Sequence, residues 1–291
     1  MLLSYNRPES IAWSLLGTGA AFLTSSSRLT NGRPNSPTRI QWLSGTQTTS
    51  SVLTLRCNIT GDEQSIRMAG LVGTTLPVGT KVVCKRLFSL SWTDSQQQRV
   101  IERPDGVRVV WFYFDPLTYP YRGFEFEIYN DVNGSADILA DSTFDIGEAW
   151  AGEASEWCIR PTYQSDREQF SKYKQSLGGQ PFRVTRRSAN VSQLEFTPLD
   201  YDSVFDAVQY TDDGAVESAP IDYVRAQILG YSPCVVVPMT AKPFTGSAVD
   251  LEYVNRHAEF GFAKTVGPIV GEAPRFVFSA TFSAPPALLP S

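Results

Sequence analysis

The stretch GFEFEIYNDVNGSADILAD, residues 123–141, constrains the fold more than any other part of the chain. Phe124, Phe126 and Ile128 alternate with Glu125, Glu127 and Tyr129, the period-2 pattern of a strand with one apolar and one polar face. Asn133-Gly134 follows, the dipeptide favoured in two-residue type I′ hairpin turns, so antiparallel pairing is expected here. The run RVVWFYF (108–114) is aromatic and β-branched throughout, as in a strand buried on both faces.

Other stretches repeat the theme. SSVLTLRCNITG (50–61) reads as a strand, and residues 64–88 as two strands around a Gly/Pro turn at 73–79. In the second half, residues 180–199 hold two strand-like runs with a turn near 188–190. Strands are also expected at 234–239, 257–266 and 274–283. Asp200 is placed to cap a helix over 201–210, and Pro220 and Gly230 bracket a second over 220–229. Residues 165–179 have helix-like composition but poor apolar spacing and fit a helix or a loop. The expected class is mainly β: an N-terminal jelly-roll β-sandwich, then a β-rich α+β half with one or two short helices. A boundary is expected between 149 and 150.

Composition limits what such a chain can do. Of 291 residues, 42% are hydrophobic and 19% charged, enough for a sizeable core. Net charge is −5, and the only adjacent basic pairs noted, 85–86 and 186–187, are isolated. Phosphate-backbone binding needs a clustered basic footprint, so sequence-specific nucleic-acid recognition is not expected. The apolar stretch 10–25 follows Glu9, leads to no small-residue cleavage pattern and is broken by Gly17 and Gly19. It reads neither as a leader nor as a membrane span. The sequons at Asn58, Asn133 and Asn190 then carry little weight.

Catalytic patterns are weak. His257 is the single histidine and sits where a strand is expected to begin. No nucleophile motif, metalloprotease motif or phosphate loop accompanies it. GTGAAF (17–22) lacks the third glycine of a dinucleotide fingerprint. Glu125 and Glu127 share a strand face, as glycosidase carboxylates could, but alternating charge on a half-exposed strand is the ordinary outcome. DVNGSAD (131–137) offers calcium-like oxygen spacing, yet its sixth and twelfth loop positions are Ala136 and Ser142 instead of Gly and Glu. Asp200, Asp202 and Asp206 read as a helix start and a solvated face. Cys57, Cys84, Cys158 and Cys234 are too far apart for a zinc site and are read as buried thiols. A Cys57–Cys84 bridge stays open if their strands pair. No catalytic, metal-binding or cofactor-binding residue is expected, and no cofactor.

Two resemblances add to this reading. Residues 25–34, TRIQW (38–42) and VLTLRC (52–57) resemble the opening of a galactose-binding-like, discoidin-type β-sandwich, in which a loop similar to N-L-T-D-G precedes a Trp. Leu29, Thr30, Asn31, Gly32 and Trp42 fill those places, which implies that loop 31–37 shapes the start of the sandwich and Trp42 packs in its core. Such domains bind sugars or calcium near this loop, but Asn31 stands where the acid is usual.

The second half is similar to the distal tail proteins of long-tailed bacteriophages (siphophages). The likeness rests on an ordered set: DIGEAWAGEASEW, SLGGQPF, LEFTPLDYDSVFDAV, CVVVPM, and residues 258–283. It implies a galactose-binding-like domain over 1–149 and a ring-forming distal-tail-like domain over 150–291. The implied role is that of a virion structural protein of the tail tip or baseplate, made in the host cytoplasm and not an enzyme. Its expected partners are further copies in a hexameric or trimeric ring, the tail-tube and hub proteins, and in one variant a cell-surface glycan. The alternative is a carbohydrate-binding, receptor-binding module, with Tyr119, Tyr121 and Arg122 as the best-placed surface.

Overall fold

The structure, a computed structural model, describes residues 2–285 apart from 9–10, 18, 43–47, 61–64, 89–90, 116–120, 137, 139–141, 157–161, 169–171, 176–180, 185–188, 200–207, 210–215, 219, 230–231, 239–248 and 273–274. Side chains of 88–94, 142, 157–192, 194, 196–219 and 272–277 also lie outside the description.

Strands β1 (Leu2–Tyr5), β2 (Ile11–Leu16) and β3 (Ala20–Phe22) precede a 3-10 helix (Ser26–Thr30). Then come β4 (Thr38–Trp42), β5 (Val52–Ile59), β6 (Met68–Thr74), β7 (Thr80–Phe88), β8 (Ser91–Arg99) and β9 (Ile101–Glu102). β10 (Arg108–Tyr113), β11 (Gly123–Val132) and the long β12 (Ser142–Glu156) follow. The second half holds β13 (Thr162–Glu168), β14 (Lys172–Gln175), β15 (Pro181–Val184), β16 (Ala189–Leu199), β17 (Val208–Gln209) and β18 (Val216–Ser218). Helix α1 (Ile221–Ile228), β19 (Pro233–Val237), helix α2 (Leu251–His257), β20 (Glu259–Val266), β21 (Val270–Glu272) and β22 (Arg275–Ser283) complete the described elements.

The protein is mainly β, with antiparallel sheets and two short helices among the described residues. A five-stranded sheet runs β2-β5-β11-β7-β8. A thirteen-stranded sheet has the path β13-β16-β22-β20-β19-β1-β12-β6-β10-β9, with β3, β4 and β21 branching from it. The two face each other across one apolar core, to which β11 gives Phe124, Phe126 and Ile128 and β10 gives Val110 and Phe112. Burying each such side chain stabilises by about 1.5–3 kcal/mol. The opposite face of the large sheet, carrying Trp111, Trp150 and Val235, is covered by Val254 and Ala258 around α2. Ile221, Val224 and Ile228 of α1 pack on Leu3, Val236 and Phe282 farther along the sheet.

Strand β1 joins the two halves. It pairs with β12 on one side (Leu2↔Glu156 to Tyr5↔Glu153) and with β19 on the other (Leu2↔Val237 to Ser4↔Val235). The boundary expected between 149 and 150 falls inside β12, whose backbone continues as a strand through it.

Several elements form where the pattern placed them. Asn133 (φ 51) and Gly134 (φ 91) make the tight turn, closed by a Val132↔Ser135 bridge. The ladder partners of β11 are β5 and β7 instead of a returning hairpin strand. The strand at 108–114 is buried on both faces, from Val109 to Phe114. Helix α1 begins after Pro220, where a missing N–H costs nothing.

Others differ. The segment 165–179, expected as helix or loop, contributes to β13 and β14 instead. β13 pairs with β16 over its whole length, and that ladder overrides helical composition. Of the helix expected over 201–210, residues 200–207 and 210 lie outside the described residues, and Val208–Gln209 forms β17. The strand expected from 257 starts at Glu259, because residues 251–257 form α2. Its N-cap is Asp250, whose carboxylate accepts from the Tyr253 N–H at 3.0 Å.

Candidate functional site

The residues singled out in the sequence are spent on structure. Glu125 is buried, not on a wet face, and pairs with Arg56 across the β11/β5 ladder at 2.8 Å. Glu127 pairs with Lys85 and accepts from the Tyr129 hydroxyl at 2.9 Å. Two carboxylates each held by a cation leave neither as a ready nucleophile. Asp131 accepts from the Gly134 N–H at 2.7 Å and from Arg99 at 3.3 Å, so the hairpin turn uses the oxygen a cation would need. Those contacts, the N–H first, hold its carboxyl below the ordinary range.

His257 ends α2 and stacks on Tyr253, ring centroids 4.3 Å apart. Burial, then Arg256 and Arg103, lower its pKa and favour the neutral ring. Cys57, Cys84 and Cys234 are free and buried, and Cys158 lies outside the described residues. Strand β11 separates Cys57 from Cys84, so the strands carrying them do not pair. Burial pushes the Cys234 thiol up to about 12, far from a reactive thiolate. Among the described residues, no group of three or more His, Cys, Asp or Glu is arranged to hold a metal ion.

Tyr121, proposed for a sugar-facing surface, is fully buried, with the Arg86 guanidinium 4.2 Å from its ring centre. Tyr119 lies outside the described residues, and Arg122 is exposed. Trp42 packs in the sandwich core, as its place after the loop implied.

A different place collects unusual chemistry. After Tyr5 the chain leaves β1 through Asn6, which has a left-handed backbone (φ 51). That turn carries Asn6, Arg7 and Pro8 into an open cleft of about 300 Å³, shared with Ile11, Thr30, Gln227, Ser232 and Pro233. Arg7 donates to Glu148 Oε1 at 2.5 Å and to the Thr30 carbonyl at 2.6 Å. Its guanidinium also lies 5.7 Å from the Trp150 ring centre. The second oxygen of Glu148 accepts from the Gly32 N–H at 2.9 Å.

Two glycines make this approach possible. Gly32 needs φ +71, and a Cβ there would lie 3.0 Å from Phe262 Cζ. A Cβ on Gly147 would collide with the Pro34 carbonyl oxygen. Burial pushes the Glu148 carboxyl up to about 7, against the opposing pull of Arg7 and the N–H groups of Gly32 and Arg33.

Farther along β12 stands Glu153, directly opposite Tyr5. Burial raises its carboxyl above the ordinary value, partly offset by a hydrogen bond from the Asn6 side chain. The Tyr5 hydroxyl hydrogen-bonds Ser155 Oγ at 2.8 Å, and the Tyr5 ring meets Tyr223 of α1 edge-on, centroids 6.3 Å apart. Trp150 Nε1 donates to Ser4 Oγ at 2.9 Å, and Ser4 in turn donates to the Glu153 carbonyl.

Sequence reasoning passed over Arg7, Glu148 and Glu153. The one available signal was DIGEAWAGE, two acids in an apolar strand each preceded by glycine.

Together these observations define an antiparallel β-protein built on two large sheets, with the small β14-β15 and β17-β18 pairs beside them, a polar cleft next to its joining strand, and no assembled catalytic constellation among the described residues. Set against known protein families and curated proteins, the sequence matches none of them.

Proposed function

We propose that this chain is a structural component of a bacteriophage tail tip, forming a ring that joins the tail tube to the host-adhesion apparatus. One observation carries the reading. Four of the five motifs similar to distal tail proteins fall largely on strands of the one large sheet, where β1 alone separates β12 from the rest. DIGEAWAGEASE lies on β12, LEFTPL on β16, CVVV on β19 and residues 259–283 on β20 to β22. Motifs scattered over the last 147 positions thus meet in one layer, as a scaffold would require. The sheet also ends on β13, which pairs only with β16 among the described residues and leaves an edge for a neighbouring subunit.

Finer assignments follow from the resemblance: further copies in a hexameric or trimeric ring, tube and hub proteins as neighbours, and a virion location. No helix among the described residues is long and apolar enough to cross a membrane. Light scattering coupled to gel filtration, with negative-stain imaging of the same fractions, tests the proposal. Closed rings with a central opening are expected. A monodisperse monomer at every concentration up to about 100 μM, well above the Kd of ordinary stable interfaces, overturns it.

A further inference from the structure

Glu153 lacks the counter-charge that its neighbours have. Glu148 has Arg7, and Asp145, on the same strand, has Arg39 at 2.9 Å. Glu153 has a hydrogen bond from Asn6 and no cation among the described residues. A half-buried carboxylate left this way is costly to the fold, and such costs collect where a ligand makes them good.

Its surroundings are specific. The rings of Tyr5 and Tyr223 meet at 72°; burial raises the pKa of both phenols, and the nearby Glu153 charge adds to it. Tyr223 is 43% exposed. Gln227, one helical turn beyond it on the same stripe of α1, lines the cleft. Asn6, a wall of that cleft, follows directly on Tyr5, whose ladder partner is Glu153, so the carboxylate lies next to the cleft. The guanidinium of Arg7 is already satisfied by Glu148 and Thr30, leaving Glu153 without a cation among the described residues.

We propose that the corner formed by Tyr5, Asn6, Glu153 and Tyr223 binds an organic cation, an alkylammonium or guanidinium group. The carboxylate supplies the opposite charge, and the exposed part of the Tyr223 ring supplies the electron-rich face that attracts such cations, with the buried Tyr5 ring packed behind it. An anion would be repelled. A calcium ion needs six or more oxygens and would find one carboxylate here. A neutral sugar would leave Glu153 unpaired. The cation can come as a free amine or as a lysine or arginine side chain of another protein.

The test is calorimetric and ligand-observed NMR titration of the full chain with three probes. These are 1,5-diaminopentane, for a free amine, and capped Gly-Lys-Gly and Gly-Arg-Gly, for a protein side chain. At least one is expected to bind saturably with a Kd on the order of 1 mM, as for a single ionic contact. Tighter binding of the diamine assigns the site to free amines, and tighter binding of a peptide assigns it to a protein partner. Glu153→Gln should weaken binding at least about tenfold, and Tyr223→Ala about threefold to tenfold. Glu153→Gln removes an unpaired charge without changing volume, so it should melt no lower than the parent chain. If it fails to fold, Tyr223→Ala decides, because that residue is 43% exposed and lies outside the core. No saturable binding of any probe up to about 20 mM, or binding that the folded variants leave unchanged, overturns the proposal.

Discussion

Glu148 sits where three distant segments meet, and its chemistry sets how the cleft responds to pH. Its ordinary value is 4.5, and burial lifts it to about 7 in the folded chain. A carboxyl raised on folding holds an extra proton between those two values, so stability falls as pH rises through that window and levels off above it. The loss attributable to this residue is about 3 kcal/mol at most. Denaturant unfolding at pH 5 and pH 8 should show the parent chain weaker at pH 8, and Glu148→Gln should reduce that difference. An equal pH dependence in both proteins would mean that Glu148 titrates normally. None of this was legible in the sequence. Glu148 and Arg7 are 141 positions apart, and a glutamate in an alternating strand ordinarily signals the wet face.

Elements were legible in proportion to how local their determinants are. The turn at Asn133-Gly134 and helix α1 carry their own signals, dihedral preference in one and Pro220 in the other. α2 was missed because its seven residues owe their shape to docking, not to periodicity. Asn255 shows how it docks: its Oδ1 accepts the Trp111 N–H at 2.7 Å, and its Nδ2 donates to the Arg99 carbonyl at 3.0 Å. β9 pairs with β10 only at Arg108 and Val109, so beyond it the edge of β10 is finished by a side chain from the second half. Asn255→Ala would strand a backbone N–H and a carbonyl, and should cost about 2–4 kcal/mol by denaturant unfolding. Asn255→Asp keeps the acceptor and loses the donor, and should fall between. A neutral alanine variant would show that water replaces Asn255 without cost. Likewise, β13 and β14 were obscured because pairing partners decide a strand that composition leaves ambiguous.

At the scale of the whole molecule, the mainly β class was legible, since it follows from many independent short patterns. The relation between the halves was not, because it depends on four residues at the N-terminus. β1 is buried along its entire length and hydrogen-bonds to β12 and β19 at once. Arg103, in the turn between β9 and β10, adds ion pairs to Asp105 and to Glu259 at 3.1 Å each, the latter reaching the second half. A fragment of residues 150–291 would lose β1 and the first half of β12, exposing an apolar edge of β19 that includes Val235 and Val237. Such an edge pairs with whatever strand it meets. That fragment should therefore be aggregated or unfolded alone, by circular dichroism and gel filtration. Joining residues 1–8 to its C-terminus through a flexible linker should recover part of its solubility, because the returning strand can pair with β19. Limited proteolysis of the full chain should correspondingly spare β12 and cut elsewhere first. A 150–291 fragment that folds and stays soluble without β1 would establish the halves as two independent units and reduce the shared sheet to a contact between them.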